Sequence, residues 1–153
     1  MEKTKEELQE WARINLLPQE DSDTRLRFEE GNEVYDDDYI LEMYNARIEY
    51  NLNKLIAEFM GLDTEVFKSG KVNYYYYDKV SKQDIFLEAH ELSYNVSWDW
   101  LMPVIEKCLV GEAEQSEEIS NTTIKNIYEG ICNQDISFAY KSVVEFIKEL
   151  EKE

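Results

Sequence analysis

Apolar positions fall into periodic runs separated by polar stretches, and these runs predict most of the secondary structure. Leu41, Tyr44, Ile48, Leu52, Leu55 and Phe59 step by 3, 4, 4, 3 and 4 residues, the spacing that lines one face of an α-helix. Asp37 and Asp38 stand before this run as cap candidates and Gly61 ends it, so a helix is predicted from about Tyr39 to Met60. Ile136, Tyr140, Val143, Ile147 and Leu150 predict a terminal helix in the same way, and Ile124, Ile127, Tyr128 and Ile131 one before it. At the other end, Leu8, Trp11, Ile14 or Asn15, and Leu17 predict a short helix that Pro18 stops.

The middle of the chain changes period. Val72–Asp78 and Gln83–Ala89 are short and β-prone, and the polar Lys79–Lys82 stretch between them suits an antiparallel hairpin with its tip near Ser81. Trp98, Leu101, Ile105 and Cys108 then return to helical steps behind Ser97 as cap, ending near Gly111. Pro103 leaves two readings, a regular helix starting close to it or a kinked first turn. The fold class is therefore α+β, mainly helical with about five helices, and a small antiparallel hairpin or sheet packs against them. Gln19–Asp38 shows no apolar period and reads as a loop or mobile linker, so residues 1–38 are an acidic extension and 39–153 a single α+β domain.

Charge adds a sharper constraint. The chain has 153 residues with 34 acids against 16 bases, a formal charge of −18. Such a field opposes direct binding to nucleic acid and to anionic membrane. It is uneven, at −9 over residues 1–50, −3 over 51–100 and −6 over 101–153. Around Tyr74–Tyr77, residues 66–82 hold four lysines and one aspartate, a local basic and aromatic island. No apolar run approaches the ~20 residues of a membrane-spanning helix. The start of the chain lacks the apolar segment of a signal peptide, and two distant cysteines fit a reduced, cytoplasmic protein.

Little in the sequence points to catalysis. His90 is the single histidine, which removes multi-histidine metal sites; beside Glu88 and Glu91 it reads as a solvated residue. Cys108 and Cys132 both fall on apolar stripes and read as buried thiols. Asp21–Asp23 fails as a calcium loop because Arg25 and Leu26 take ligand and glycine positions. No glycine-rich phosphate loop is present, and no metal or cofactor is implied.

Candidate partner-binding residues form two groups. One is the hairpin ledge, Tyr75 and Tyr77 with Lys79 and Lys82, together with Trp100, which is rotated by about 200° from the core-facing Trp98 on a helix. Exposed, this ledge suits a protein interface; otherwise the tyrosines are a strand half-packed on the core. The other group is the acidic run Glu29, Glu30, Glu33, Asp36, Asp37 and Asp38, whose carboxylates could imitate a phosphate backbone or serve solubility alone.

Asn53–Gly61, the block Ser-Trp-Asp-Trp-Leu-Met-Pro-Val-Ile-Glu-Lys at 97–107, and Val143–Lys148 resemble a set of small uncharacterised proteins of bacteriophages, prophages and mobile elements. More loosely, the order of blocks is similar to the phage ABA-sandwich domain. The likeness leaves the acidic amino-terminal third outside it, and Glu149-Leu150-Glu151 stands where those proteins often carry Trp-Tyr-Asn. It implies an α+β sandwich and a protein that meets host or phage machinery in the bacterial cytoplasm, including as an inhibitor of host defence. Three readings follow: a protein-binding module, sharpest as a DNA mimic acting on a basic nucleic-acid-binding protein; a small carboxylate and divalent-metal enzyme; and a self-assembling structural protein. The first is favoured over an enzyme.

Overall fold

The computed structural model describes residues 3–20, 22–29, 35–69, 71–78, 82–112 and 120–152. Contacts divide the chain into two compact units, Met1–Glu49 and Tyr50–Glu153, with the boundary inside one long helix.

In the first unit, helix α1 (Lys5–Asn15) opens with a reciprocal cap: Thr4 Oγ1 accepts from the Glu7 N–H, and Glu7 accepts from the Thr4 N–H. Pro18 then sits in a 3₁₀ turn, Leu17–Gln19. The segment read as a loop contains a second helix, α2 (Ser22–Glu29). Periodicity could not find it, because a helix without an apolar stripe has no period to show. Helix α3 (Asp37–Met60) begins where the Asp36 carboxylate accepts from the Tyr39 N–H at 2.7 Å. Trp11 meets Tyr44 edge to face at 5.3 Å, and Ala12, Leu17 and Ile40 are buried.

The second unit has a three-stranded antiparallel sheet, β1 (Thr64–Val66), β2 (Val72–Asp78) and β3 (Gln83–Leu87), in the order β1-β2-β3. Helices α4 (Trp98–Glu106), α5 (Asn121–Cys132) and α6 (Ile136–Leu150) complete it. This bears out the mainly helical α+β class, with six α-helices among the described residues. The hairpin tip, 79–81, and most of the acidic 112–118 loop lie outside the description. Pro103 falls inside α4, which starts at Trp98 and passes into a π-helical turn at Lys107–Glu112.

The face that α3 buries overlaps only in part with the one its apolar spacing marks: Leu52, Leu55 and Phe59 pack on the core. Leu41 and Ile48 are 44% and 37% exposed, whereas Asn53, Ile56 and Ala57 are buried. Apolar residues occur on more than one side of this helix, so two stripes fit the sequence and packing selects one. Gly61, at φ +71°, ends the helix in a left-handed turn that lets Leu62 N–H donate back to the Ala57 carbonyl at 3.0 Å. Lys107 caps the same end, its ammonium donating to the Phe59 carbonyl.

The core of this unit centres on α6, where Ala139, Tyr140, Val143, Val144, Phe146 and Ile147 are all buried. Each large apolar side chain removed from water there contributes about 1.5–3 kcal/mol. Cys108 joins this core, but Cys132 is exposed at the end of α5, because the apolar stripe loses its cover where that helix stops. No described helix is long and apolar enough to cross a membrane.

Tyr74 lies wholly inside, and its hydroxyl has no hydrogen-bond partner among the described residues. Burial, then the Glu58 carboxylate, pushes its pKa up to about 12. The folded phenol therefore holds its proton above the ordinary value of 10, and the protein loses stability as pH climbs from there through 12, where only the unfolded chain ionises readily. Tyr74→Phe is expected to stabilise the protein by about 1 kcal/mol at neutral pH. The variant should also lose less stability than wild type between pH 10 and 12 in urea titrations; a destabilised Phe variant would show that the hydroxyl has a partner.

Candidate functional site

Strand alternation gives the sheet an inner and an outer face. Val72, Tyr74 and Tyr76 point inward, and Tyr76 stacks on Trp100 at 4.2 Å with 22° between the rings. Tyr94 closes on the same indole edge to face at 5.4 Å. Trp100 is thus half-buried beneath the sheet, a packing position distinct from the outward ledge, while Trp98 reaches a surface groove of about 500 Å³ with Met102, Pro103, Val110 and Tyr128.

The outer face carries the ledge. The register sets Tyr75 opposite Phe86, Tyr77 opposite Asp84, and Glu65 opposite Asn73. Tyr77 is 56% exposed, Phe86 50% and Phe67 41%. Tyr75 and Phe86 meet edge on at 4.5 Å, and the Tyr75 hydroxyl donates to Glu65 at 3.2 Å. Partial burial, then that carboxylate, raises the Tyr75 pKa, so the ring stays neutral.

Neither Phe86 nor Phe67 adjoins the tyrosine run, so local composition does not single them out. The hairpin spacing could have found Phe86, since the strand limits alone place it beside Tyr75. Charge also changes on folding. The lysine island does not survive as a basic patch: β1 and β3 lay Glu65, Asp84 and Glu88 beside it, and residues 63–91 hold six acids against four lysines. Lys71 is neutralised by Glu88 at 2.5 Å, and this pairing raises the lysine's pKa. Lys82 is exposed at φ +54°, where the chain enters β3; Lys79 lies outside the described residues.

Of the acidic run, Glu30 and Glu33 also lie outside, and of Glu29 only its place at the end of α2 is described. Asp36 caps α3. Asp37 binds Lys5 at 2.6 Å and accepts from Gln9 at 3.0 Å, contacts that hold its pKa below the usual carboxylate range. Asp38 is exposed. Two of these carboxylates therefore have work within the fold.

At the end of β3 the chain makes a 3₁₀ turn, Ala89–Glu91, capped reciprocally by Glu88 and Glu91. Glu88, His90 and Glu91 can offer one nitrogen and two carboxylate oxygens, all within 4.8 Å of one another. Glu88 already serves Lys71 and Glu91 accepts the Glu88 N–H at 2.8 Å, so a divalent ion there would compete with existing partners. Below the turn, Asn53 donates to the carbonyls of Ala89 at 3.2 Å and Leu92 at 2.7 Å, and accepts from the Tyr140 hydroxyl at 3.0 Å. This buried node fixes the turn to α3 and α6.

Comparison with profiles of known families, with curated proteins and with solved structures finds no match to this chain.

Proposed function

We propose that this chain is a protein-binding module that receives an arginine-rich protein surface on the outer face of its sheet. Its sharpest form is an inhibitor that occupies a nucleic-acid-binding protein in place of DNA. The observation that carries the reading is the exposure of Tyr77 and Phe86 on one sheet face with Glu65, Asp84 and Glu88, in a chain of charge −18. Guanidinium groups stack on aromatic faces and form paired hydrogen bonds with carboxylates, whereas lysine does the second less specifically. In a bacteriophage, the origin to which the three sequence blocks point, such a target is a host nucleic-acid-binding or defence protein.

Deca-arginine and deca-lysine peptides separate this from bulk electrostatics, because they carry the same charge. Deca-arginine is expected to bind about twofold or more tightly in calorimetry, because guanidinium stacks on the two exposed rings better than ammonium does. Tyr77→Ala combined with Phe86→Ala should bring arginine down to the lysine value. Equal affinities that the double variant leaves unchanged would sink the proposal.

A further inference from the structure

Strand β3 is at the edge of the sheet formed by the described residues. Among the described residues, no backbone hydrogen bond outside the β2 ladder reaches Gln83–Leu87. A free edge is a template for another strand, and this one is self-complementary. In symmetric antiparallel pairing, facing residues share a sheet face, so a residue must sit on the two-fold axis.

Three central residues could do so, and charge separates them. Centring on Asp84 sets that carboxylate against itself. Centring on Phe86 sets Asp84 against Glu88 of the second copy. Centring on Ile85 sets Ile85 against itself and brings Lys82, in the turn just before the strand, level with Glu88, just after it, in the second copy, twice per pair. Only the last avoids apposed acids, and it converts two exposed lysines into cross-strand ion pairs. It also brings the half-exposed Phe86 diagonal to its own copy, a separation of about 7–8 Å that aromatic rings span. Each Phe86 already packs on Tyr75, so four rings then run in one row.

We infer that β3 pairs with β3 of a second copy of this chain about Ile85, making a continuous six-stranded sheet. The pairing is edge to edge, so Tyr77 and Glu65 stay open on both outer faces, while Glu88 is shared with the proposed arginine site; the oligomeric state is therefore read with no peptide present. Two chains of −18 repel, and dimerisation strengthens with salt.

Light scattering at about 0.5 M salt, where screening acts within a few ångströms, should give twice the 18.2 kDa chain mass as concentration rises. Lys82→Glu alone, or Glu88→Lys alone, should raise the dimer dissociation constant about tenfold or more, since each sets like charges opposite at two places. Mixing the two variants restores opposite charges at both places and should recover the dimer. A monomer at every concentration, or a dimer indifferent to both reversals, overturns the inference.

Glu88 also serves Lys71, so a register test independent of that residue is needed. In a Cys132→Ser background, Ile85→Cys should form an intermolecular disulfide, because facing Cα atoms about 4.5–5.5 Å apart suit that bond. Gln83→Cys should not. No cross-link at 85, or an equal one at 83, also overturns it.

Discussion

Asn53→Ala is expected to destabilise the protein by about 3–5 kcal/mol, more than most single substitutions, because one side chain satisfies three buried groups. Asn53 is 2% exposed, and removing its amide takes the donor from the Ala89 and Leu92 carbonyls and this acceptor from the Tyr140 hydroxyl. A buried group left without a partner costs about 1–3 kcal/mol, against about 0.5–1.5 kcal/mol for an ordinary hydrogen bond lost with both its partners. Tyr140→Phe removes one of the three bonds and leaves the two carbonyls served, so it should cost about 1–2 kcal/mol. Urea unfolding at constant slope measures both. A loss below about 1 kcal/mol for Asn53→Ala would mean that water replaces the amide and that the node does not hold the turn.

The functional consequence runs through that turn. Ala89–Glu91 follows β3 directly, and Glu88 carries the ion pair to Lys71 on the outer face. Loosening the turn should therefore weaken the sheet end proposed to meet an arginine-rich partner and a second copy.

Asn53 also shows what the sequence could not tell. It stands within the longest predicted helix but off the stripe of Leu41, Tyr44, Ile48, Leu52, Leu55 and Phe59, so apolar spacing does not mark it as buried. Periodicity located helices wherever a single apolar face existed, and α6 is the clearest case. It missed α2, where the helix is polar, whereas in α3 it placed the helix, Asp37–Met60, but marked only part of the buried face. The hairpin was legible from β-prone runs around a polar turn, whereas β1, only three residues long, carries too little pattern to be seen. Of the outer face, Tyr75 and Tyr77 could be named because the tyrosine run is conspicuous. Phe86 follows from the strand limits of the hairpin, whereas Glu65 comes beside the tyrosines only through the β1–β2 register. Local charge along a chain is a poor guide to charge across a sheet, and that is why the lysine island dissolved.

Gly130→Ala is expected to cost about 3 kcal/mol, although alanine is the better helix former by about 1 kcal/mol. A Cβ at Gly130 would stand 2.8 Å from the nitrogen, Cα and Cβ of Ala139. Two of those atoms are backbone, so α5 and α6 must move apart rather than a side chain turn away. Ala139→Gly would remove only the third contact, and the double variant should stay well below wild type in thermal and urea unfolding. Stabilisation by Gly130→Ala would show that the two helices are not in close contact there. Tyr140 follows Ala139 immediately, and its hydroxyl is the α6 contribution to the Asn53 node. Displacing α6 at Ala139 therefore stretches the same hydrogen bond that Asn53→Ala deletes. A double-mutant cycle between Gly130→Ala and Asn53→Ala should accordingly be sub-additive, with a coupling of about 0.5–3 kcal/mol, whereas strict additivity would place the helix contact and the node in separate parts of the core.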